Sequence, residues 1–199
     1  MKIAVFATEE QWTELTNNEP GSIKRATKIS DVTDNTDAVI ILQEDLAFDF
    51  SAFSKPIFLN SVVTTLKEMN AAANLLRMNG WPGFINRKIW EVSGSLSKEA
   101  GDVINALGKT SKVVDDETGF VSASVIAMII NEAFFSLEDG ISTRMDIDTA
   151  MKLGTNYPLG PFEWCAKIGA HKIYNLLNKL SARDKRYVPS RLLAKEAVL

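Results

Sequence analysis

The chain has 199 residues, of which 46% are hydrophobic, so it can form one large domain or two small ones with a buried core. Charged residues make up 24% and the formal net charge is −3, which excludes the basic excess of a nucleic-acid-binding surface. A single cysteine, Cys165, excludes an internal disulfide, and the apolar run at residues 125–130 is too short to span a membrane, so we expect a soluble cytoplasmic protein.

Short apolar runs in the first half predict β-strands, and capped segments between them predict helices. The predicted strands cover residues 3–7, 23–29, 37–42, 56–59, 89–92 and 112–114. Thr8 is a predicted N-cap that forms a capping box with Gln11, so a helix is expected to about Leu15. Two further helices are predicted over residues 64–76 and 97–107. The alternation of strands and helices indicates a small parallel sheet with helices on its faces.

After Thr118 the apolar residues follow helical spacing. The predicted helices run from Val121 to Leu137, over residues 146–153 with Gly154 at the end, as one or two helices over residues 164–180, and over residues 190–198. Apolar side chains cover much of the circumference of the first of these helices, which predicts burial on several sides. The chain is therefore predicted to contain an α/β domain at residues 1–117 and an all-α domain at residues 118–199.

Four motifs in the second half occur in an order that is typical of a known family. They are Gly-Phe-Val at 119–121 with Asn-Glu-Ala at 131–133, Asp-x-Asp-x-Ala-Met-x-x-Gly at 146–154, Tyr-Pro-Leu-Gly-Pro-Phe-Glu-Trp at 157–164, and Arg-Tyr-x-Pro-Ser-x-Leu-Leu at 186–193. Together they resemble the C-terminal domain of the 3-hydroxyacyl-CoA dehydrogenase family, especially its 3-hydroxybutyryl-CoA type, and a weaker likeness covers residues 56–118. The resemblance implies a small, reduced Rossmann-like domain, a helical substrate and dimerisation domain, a homodimer and an acyl-CoA ligand.

The reaction that the resemblance implies is the oxidation of a 3-hydroxyl group by NAD, and the chain lacks the turn that would hold NAD. In the family's nucleotide fold, a Gly-x-Gly-x-x-Gly turn presents backbone N–H groups to the pyrophosphate. Here Ala-Thr-Glu-Glu-Gln follows the first strand at 7–11, and no glycine precedes Gly21. Glu9 and Glu10 would repel a pyrophosphate at that helix start. The residues thus predict no cofactor, and NAD is implied by the resemblance alone; no metal site is expected either, because His171 is the only histidine.

The catalytic positions of the family are only partly matched. The resemblance aligns Asn79 with the histidine that removes the hydroxyl proton and Glu91 with the glutamate that orients this histidine. An amide cannot accept a proton near neutral pH, so Asn79 cannot serve as the base. Ser61 is one of two hydroxyl residues near the position of the family's serine. Ordinary alternatives are a solvated or ion-paired carboxylate for Glu91 and a capping hydroxyl for Ser61.

Substrate contacts are expected from Trp81 and from the turn that contains Pro158, Gly160 and Pro161, around an expected cleft between Asn79, Glu91 and Pro161. The favoured function is that of a catalytically degenerate dimer that binds an acyl-CoA or regulates an active relative. One alternative is an active 3-hydroxybutyryl-CoA oxidoreductase whose NAD site is atypical or supplied by a partner. Another is a different reaction that uses Glu91 as a lone acid or base.

Overall fold

A computed structural model of the chain describes residues 1–17, 21, 23–44, 49 and 53–198. The chain divides into two compact units, Met1–Phe120 and Val121–Leu199. The first unit is built around a β-sheet with helices and the second unit is helical. This is the α/β domain followed by an all-α domain that the apolar patterns predict.

Seven strands form a single sheet in the first unit. They are β1 (Ile3–Phe6), β2 (Ile23–Ala26), β3 (Ala38–Ile41), β4 (Ile57–Asn60), β5 (Leu75–Met78), β6 (Ile89–Ser93) and β7 (Thr110–Val113). Their order across the sheet is β2-β1-β3-β4-β5-β6-β7, and neighbouring strands are parallel except for β5 and β6. Each predicted strand is present, and the parallel part of the sheet is Rossmann-like.

Strand β5 lies where the pattern predicted the end of a helix over residues 64–76, and that prediction is wrong. Turns precede the strand, and Asn70 within them has a left-handed φ of 48°. All four residues of Leu75–Met78 are buried, and they pair with β4. A run of four residues is too short to show a periodicity that separates a strand from a helical segment, so the sequence could not distinguish the two.

Two α-helices of the first unit contribute apolar side chains to the core against the sheet. They are α1 (Glu9–Thr16) and α2 (Lys98–Ala106). The Thr8 hydroxyl accepts a hydrogen bond from the Gln11 N–H at 3.2 Å, and the Gln11 side chain accepts one from the Thr8 N–H at 3.0 Å. The predicted capping box is therefore confirmed. Alternate residues of the strands form apolar clusters on both faces of the sheet.

Five helices make up the second unit as the structure describes it. They are α3 (Val121–Glu138), α4 (Arg144–Thr155), α5 (Pro161–Ile168), α6 (Ala170–Ser181) and α7 (Arg191–Glu196). The sequence predicts that helix α4 ends at Gly154. The helix instead continues to Thr155, and Asn156, which has a left-handed φ of 55°, caps it. Gly169, with a φ of 106°, divides the segment at 164–180 into α5 and α6.

Helix α3 is the central helix of this unit. It is long and apolar enough, by length and composition alone, to cross a membrane, with a mean hydropathy of 1.4. However, it buries the polar side chain of Asn131, whose amide donates to the Val188 carbonyl at 2.9 Å and accepts from the Ser190 N–H at 2.8 Å. These bonds are typical of a core helix, although Val121 and Val125 on the same helix are 62% and 52% exposed. The predicted burial on several sides is therefore incomplete.

Candidate functional site

The carboxyl ends of the parallel strands form the edge at which open α/β sheets bind ligands. β1 lies between β2 and β3, so the chain connections diverge on the two sides of β1. The crevice for a ligand is expected at this switch point, between the ends of β1 and β3. The residues that follow these two strands therefore determine which ligand can bind at this edge of the sheet.

The side chain of Gln11 bridges the switch point. It is 4% exposed, and its amide nitrogen donates to the Leu42 carbonyl, directly after β3, at 2.9 Å. Its amide oxygen accepts from the Thr8 N–H at the start of α1. An N–H group that a pyrophosphate would use is therefore already paired within the chain.

A second amide supports the same carbonyl. Asn60, the last residue of β4, donates to the Leu42 carbonyl at 3.0 Å and accepts from the Gly80 N–H at 3.0 Å. A side chain at position 80 would lie 2.8 Å from the Asn60 Cβ atom, so glycine is required there. Sequence reasoning missed Asn60, although a polar residue that ends a buried strand is a signal for this edge of the sheet.

Charges next to the turn between β1 and α1 are also satisfied internally. Arg25 in β2 forms an ion pair with Glu9 and donates to the Ala7 carbonyl at 3.3 Å. Arg25 lies opposite Val5 in the sheet register, and Glu9 neutralises its charge. The residues present therefore do not fit a dinucleotide bound in the manner of a glycine-rich turn.

Asn79 and Glu91 are placed on facing strands. The antiparallel register of β5 and β6 pairs Arg77 with Ser93 and Met78 with Val92. Extended by one residue, this register sets Asn79 opposite Glu91, with both side chains on the same face of the sheet. It is the arrangement that a histidine and its orienting glutamate would need.

The side chain of Asn79 is buried and engaged. It is 4% exposed, and its amide oxygen accepts from the Trp81 N–H at 3.2 Å. Glu91 is partly buried. Burial lowers the pKa of the Arg87 guanidinium, and the negative charges of Glu91 and Glu14 oppose this shift.

Two further predicted residues lie in the first unit with little freedom to meet a ligand. Ser61 follows β4, and its hydroxyl donates to the Thr64 carbonyl at 2.8 Å. In the parallel register of β4 and β5, Asn60 pairs with Met78. Ser61 and Asn79 therefore follow these two strands at the same edge of the sheet. The side chain of Trp81 is only 1% exposed, so the indole packs in the core.

The turn with Pro158, Gly160 and Pro161 lies in the second unit, where it starts α5. Gly160 is the N-cap, Pro161 is buried at the first helical position, and Pro158 is exposed. A Cβ atom on Gly160 would lie 2.2 to 2.4 Å from Asp148, which itself accepts from the Phe162 N–H at 2.8 Å. The close approach of α4 to this turn accounts for the Gly-Pro-Phe sequence.

Neither a metal nor a thiolate is supported as a reactive centre. Among the residues that the structure describes, no group of three His, Cys, Asp or Glu side chains could hold a metal ion. Cys165 is buried, and its burial raises the pKa of the thiol to about 12. The thiol is therefore protonated at neutral pH and is a poor nucleophile.

Comparison with known proteins gives matches to 3-hydroxyacyl-CoA dehydrogenases. Residues 119–197 match the family model of the 3-hydroxyacyl-CoA dehydrogenase C-terminal domain. The chain is 40% identical over 107 residues to 3-hydroxyadipyl-CoA dehydrogenase of Escherichia coli (strain K12), covering 53% of this chain and 22% of that protein. Of the first three curated relatives it matches, the chain covers 22%, 32% and 40% of the length.

Solved structures extend the likeness to both units. (S)-3-hydroxybutyryl-CoA dehydrogenase PaaH1 from Ralstonia eutropha is similar with a TM-score of 0.67 and 25% identity, over 87% of this chain and 69% of that chain. FadB2 of M. tuberculosis is similar with a TM-score of 0.73 and 16% identity, over 98% of this chain and 92% of that chain. At that identity the second likeness shows the fold alone.

Proposed function

We propose that this chain, a member of the 3-hydroxyacyl-CoA dehydrogenase family, is catalytically degenerate and acts as an acyl-CoA-binding or regulatory homodimer. The observation that carries this proposal is the bridge that Gln11 makes between Thr8 and Leu42 across the switch point. At this helix start the Thr8 N–H is already paired, and a dinucleotide would meet the carboxylates of Glu9 and Glu10. Without a bound oxidant, the family's hydride transfer cannot proceed.

The absence of a base supports the same proposal. The residue that follows β5, where the resemblance expects the histidine, is Asn79, and an amide there cannot take the hydroxyl proton. Loss of a general base alone typically costs about 10²- to 10⁴-fold in rate. The oxidation thus lacks both the acceptor for its hydride and the acceptor for its proton.

The ligand and the dimer are inferred from what the chain retains. The relatives are named as dehydrogenases of 3-hydroxybutyryl-CoA and 3-hydroxyadipyl-CoA, and the motifs that the chain shares with them lie in the helical unit. We therefore expect recognition of an acyl-CoA thioester by a cytoplasmic dimer. Exposed apolar residues on α3 and α4 support a partner for this unit; these are Val121, Val125, Met145 and Leu153.

Isothermal titration of the purified chain tests this function. We expect acetoacetyl-CoA to bind and NADH to give no heat of binding, with free CoA as the control that separates recognition of the acyl group from that of the carrier. Binding of NADH with a dissociation constant of about 1 μM or below would contradict the proposal, because that affinity, about −8 kcal/mol, requires a formed nucleotide site.

An active 3-hydroxybutyryl-CoA oxidoreductase with an atypical or partner-supplied NAD site is the second candidate. The retained antiparallel register, which holds Glu91 opposite position 79, favours it. This candidate predicts that the purified chain, alone or mixed with an active relative, oxidises NADH in the presence of acetoacetyl-CoA and that Glu91→Gln abolishes the added activity. A mixture no faster than the relative alone would exclude it.

A further inference from the structure

The loop after β5 directs several backbone N–H groups at one carboxylate. Glu14, on α1, accepts from the Gly83 N–H at 2.9 Å through Oε1 and at 2.8 Å through Oε2. Its Oε1 atom also accepts from the N–H groups of Ile85 at 3.0 Å and Asn86 at 3.3 Å. The donors lie about 70 residues from Glu14 in the sequence, so the chain has folded a loop around this side chain.

The loop is built so that these donors converge. The Phe84 N–H donates to the Trp81 carbonyl at 3.0 Å, which closes a turn with Pro82 and Gly83 at its centre. Gly83 has a φ of 90°, and proline followed by a left-handed glycine is the pattern of a type II turn. Successive N–H groups that face one point form a nest, a concave backbone site that attracts anions.

Two cations reinforce the positive potential of this loop. The Lys109 ammonium group donates to the Arg87 carbonyl at 3.1 Å. Burial lowers the pKa of Lys109 and of Arg87, and the negative charge of Glu14 opposes both shifts. The Arg87 guanidinium lies 4.1 Å from the centre of the Phe84 ring. The Lys109 side chain is buried and has lost part of its hydration, so an anion beside it is favoured, whereas Arg87 stays exposed.

We propose that residues 83–87 and Lys109 form a carboxylate-binding site that the protein occupies with its own Glu14. A carboxylate is the class of ligand, because the donors share the two oxygens of one planar group, whereas a tetrahedral phosphate would need donors around a larger anion. A ligand or partner with a free carboxylate competes with Glu14 for this site. Since Glu14 lies one turn after Gln11, such competition releases the helix that covers the switch point.

Chemical rescue tests the site. Glu14→Ala leaves the N–H groups of Gly83, Ile85 and Asn86 without their acceptor, so the thermal unfolding midpoint should fall by about 4 to 12 °C. Sodium formate, added at constant ionic strength, should recover at least half of this loss and should not stabilise the unchanged protein. Glu10→Ala, an exposed glutamate one turn earlier on α1, is the matched control and should show no recovery with formate.

Amide resonances give the same test at the level of single residues. In Glu14→Ala, formate should shift the backbone amide signals of Gly83, Ile85 and Asn86 and leave those of α2 unchanged. If Glu14→Ala does not fold, Glu14→Gln is titrated in its place. Absence of any formate-dependent recovery and of these shifts would overturn the proposal, and equal or stronger recovery with inorganic phosphate would overturn the assignment to carboxylates.

Discussion

Arg77 is a cation with no exposed surface, and its environment explains why the fold tolerates it. The guanidinium pairs with Asp116 and donates to the carbonyls of Ser61 at 2.8 Å and Val62 at 3.2 Å. The centre of the Phe120 ring lies 4.8 Å from the Cζ atom of Arg77. A buried charge is stable only when it is paired in this manner. Arg77 thereby joins the loop after β4 to the last residues of the first unit.

Replacement of Arg77 by methionine should lower the free energy of unfolding by about 3 to 5 kcal/mol, because it removes the cation that pairs with Asp116 and the donor to the carbonyls of Ser61 and Val62. Urea denaturation measures the change. Lys67→Met, which replaces an exposed cation in the adjoining turn, is the control and should stay within about 0.5 kcal/mol of the unchanged protein. A loss for Arg77→Met no larger than that of the control would show that the pair contributes little.

Asp116 adds a dependence on pH to this region. Burial raises the pKa of its carboxyl, but the Leu66 N–H, Arg77 and the Lys67 N–H outweigh burial, and the pKa is lowered overall. A lowered folded-state pKa stabilises the fold above the unfolded value, about 3.9, and the contribution is lost as the pH falls through the lower folded value. Unfolding midpoints should therefore drop more steeply below pH 4 in the unchanged protein than in Asp116→Asn. Parallel curves would contradict this.

The pairing of position 79 with Glu91 can be tested with an imidazole. In Asn79→His, the carboxylate of Glu91 should hold the pKa of the new imidazole about 1 unit above its value in the double variant Asn79→His/Glu91→Gln. The double variant is the control, since it shares the burial of the ring. NMR titration of the imidazole signals measures both values. Equal pKa values would show that the register does not bring the two side chains together.

At the scale of elements, local sequence patterns predicted most of the strands and helices. The capping box at Thr8 and the strand pattern of β1 were readable because each depends on a few adjacent residues. Strand β5 was not readable, since its burial depends on pairing with β4 and β6. The same reason applies to the candidate site: Gln11 was identified as a capping residue, but its bond to Leu42 joins residues far apart in sequence.

The start of α5 provides an element-scale prediction. Gly160→Ala should lower the free energy of unfolding by about 1 to 3 kcal/mol, because the added methyl group meets Asp148, which also caps the helix. Gly154→Ala in α4 is a matched control, since a Cβ atom there meets nothing within 4 Å. That variant should be neutral or more stable by about 0.4 to 1 kcal/mol. A similar response of both glycines in calorimetry would contradict the prediction.

At the scale of the whole molecule, the proposed dimer would cover apolar surface of the helical unit. Val125 on α3 is 52% exposed and Met145 on α4 is 74% exposed. If they lie in the interface, Val125→Glu or Met145→Glu should convert a particle of twice 22.0 kDa into one of 22.0 kDa in sedimentation. Val113→Glu, on an apolar residue of the first unit that is 49% exposed, should leave the mass unchanged. A monomeric unchanged protein would exclude the dimer.

The carbonyl of Leu42 accepts from both Gln11 and Asn60, so removal of one amide leaves the other bound to the same oxygen. The two substitutions are therefore coupled, and their effects on stability do not add. Under the proposed function, a change that admits a dinucleotide at this end of the sheet would need concerted replacements on α1 and β4, and a single mutation would not suffice.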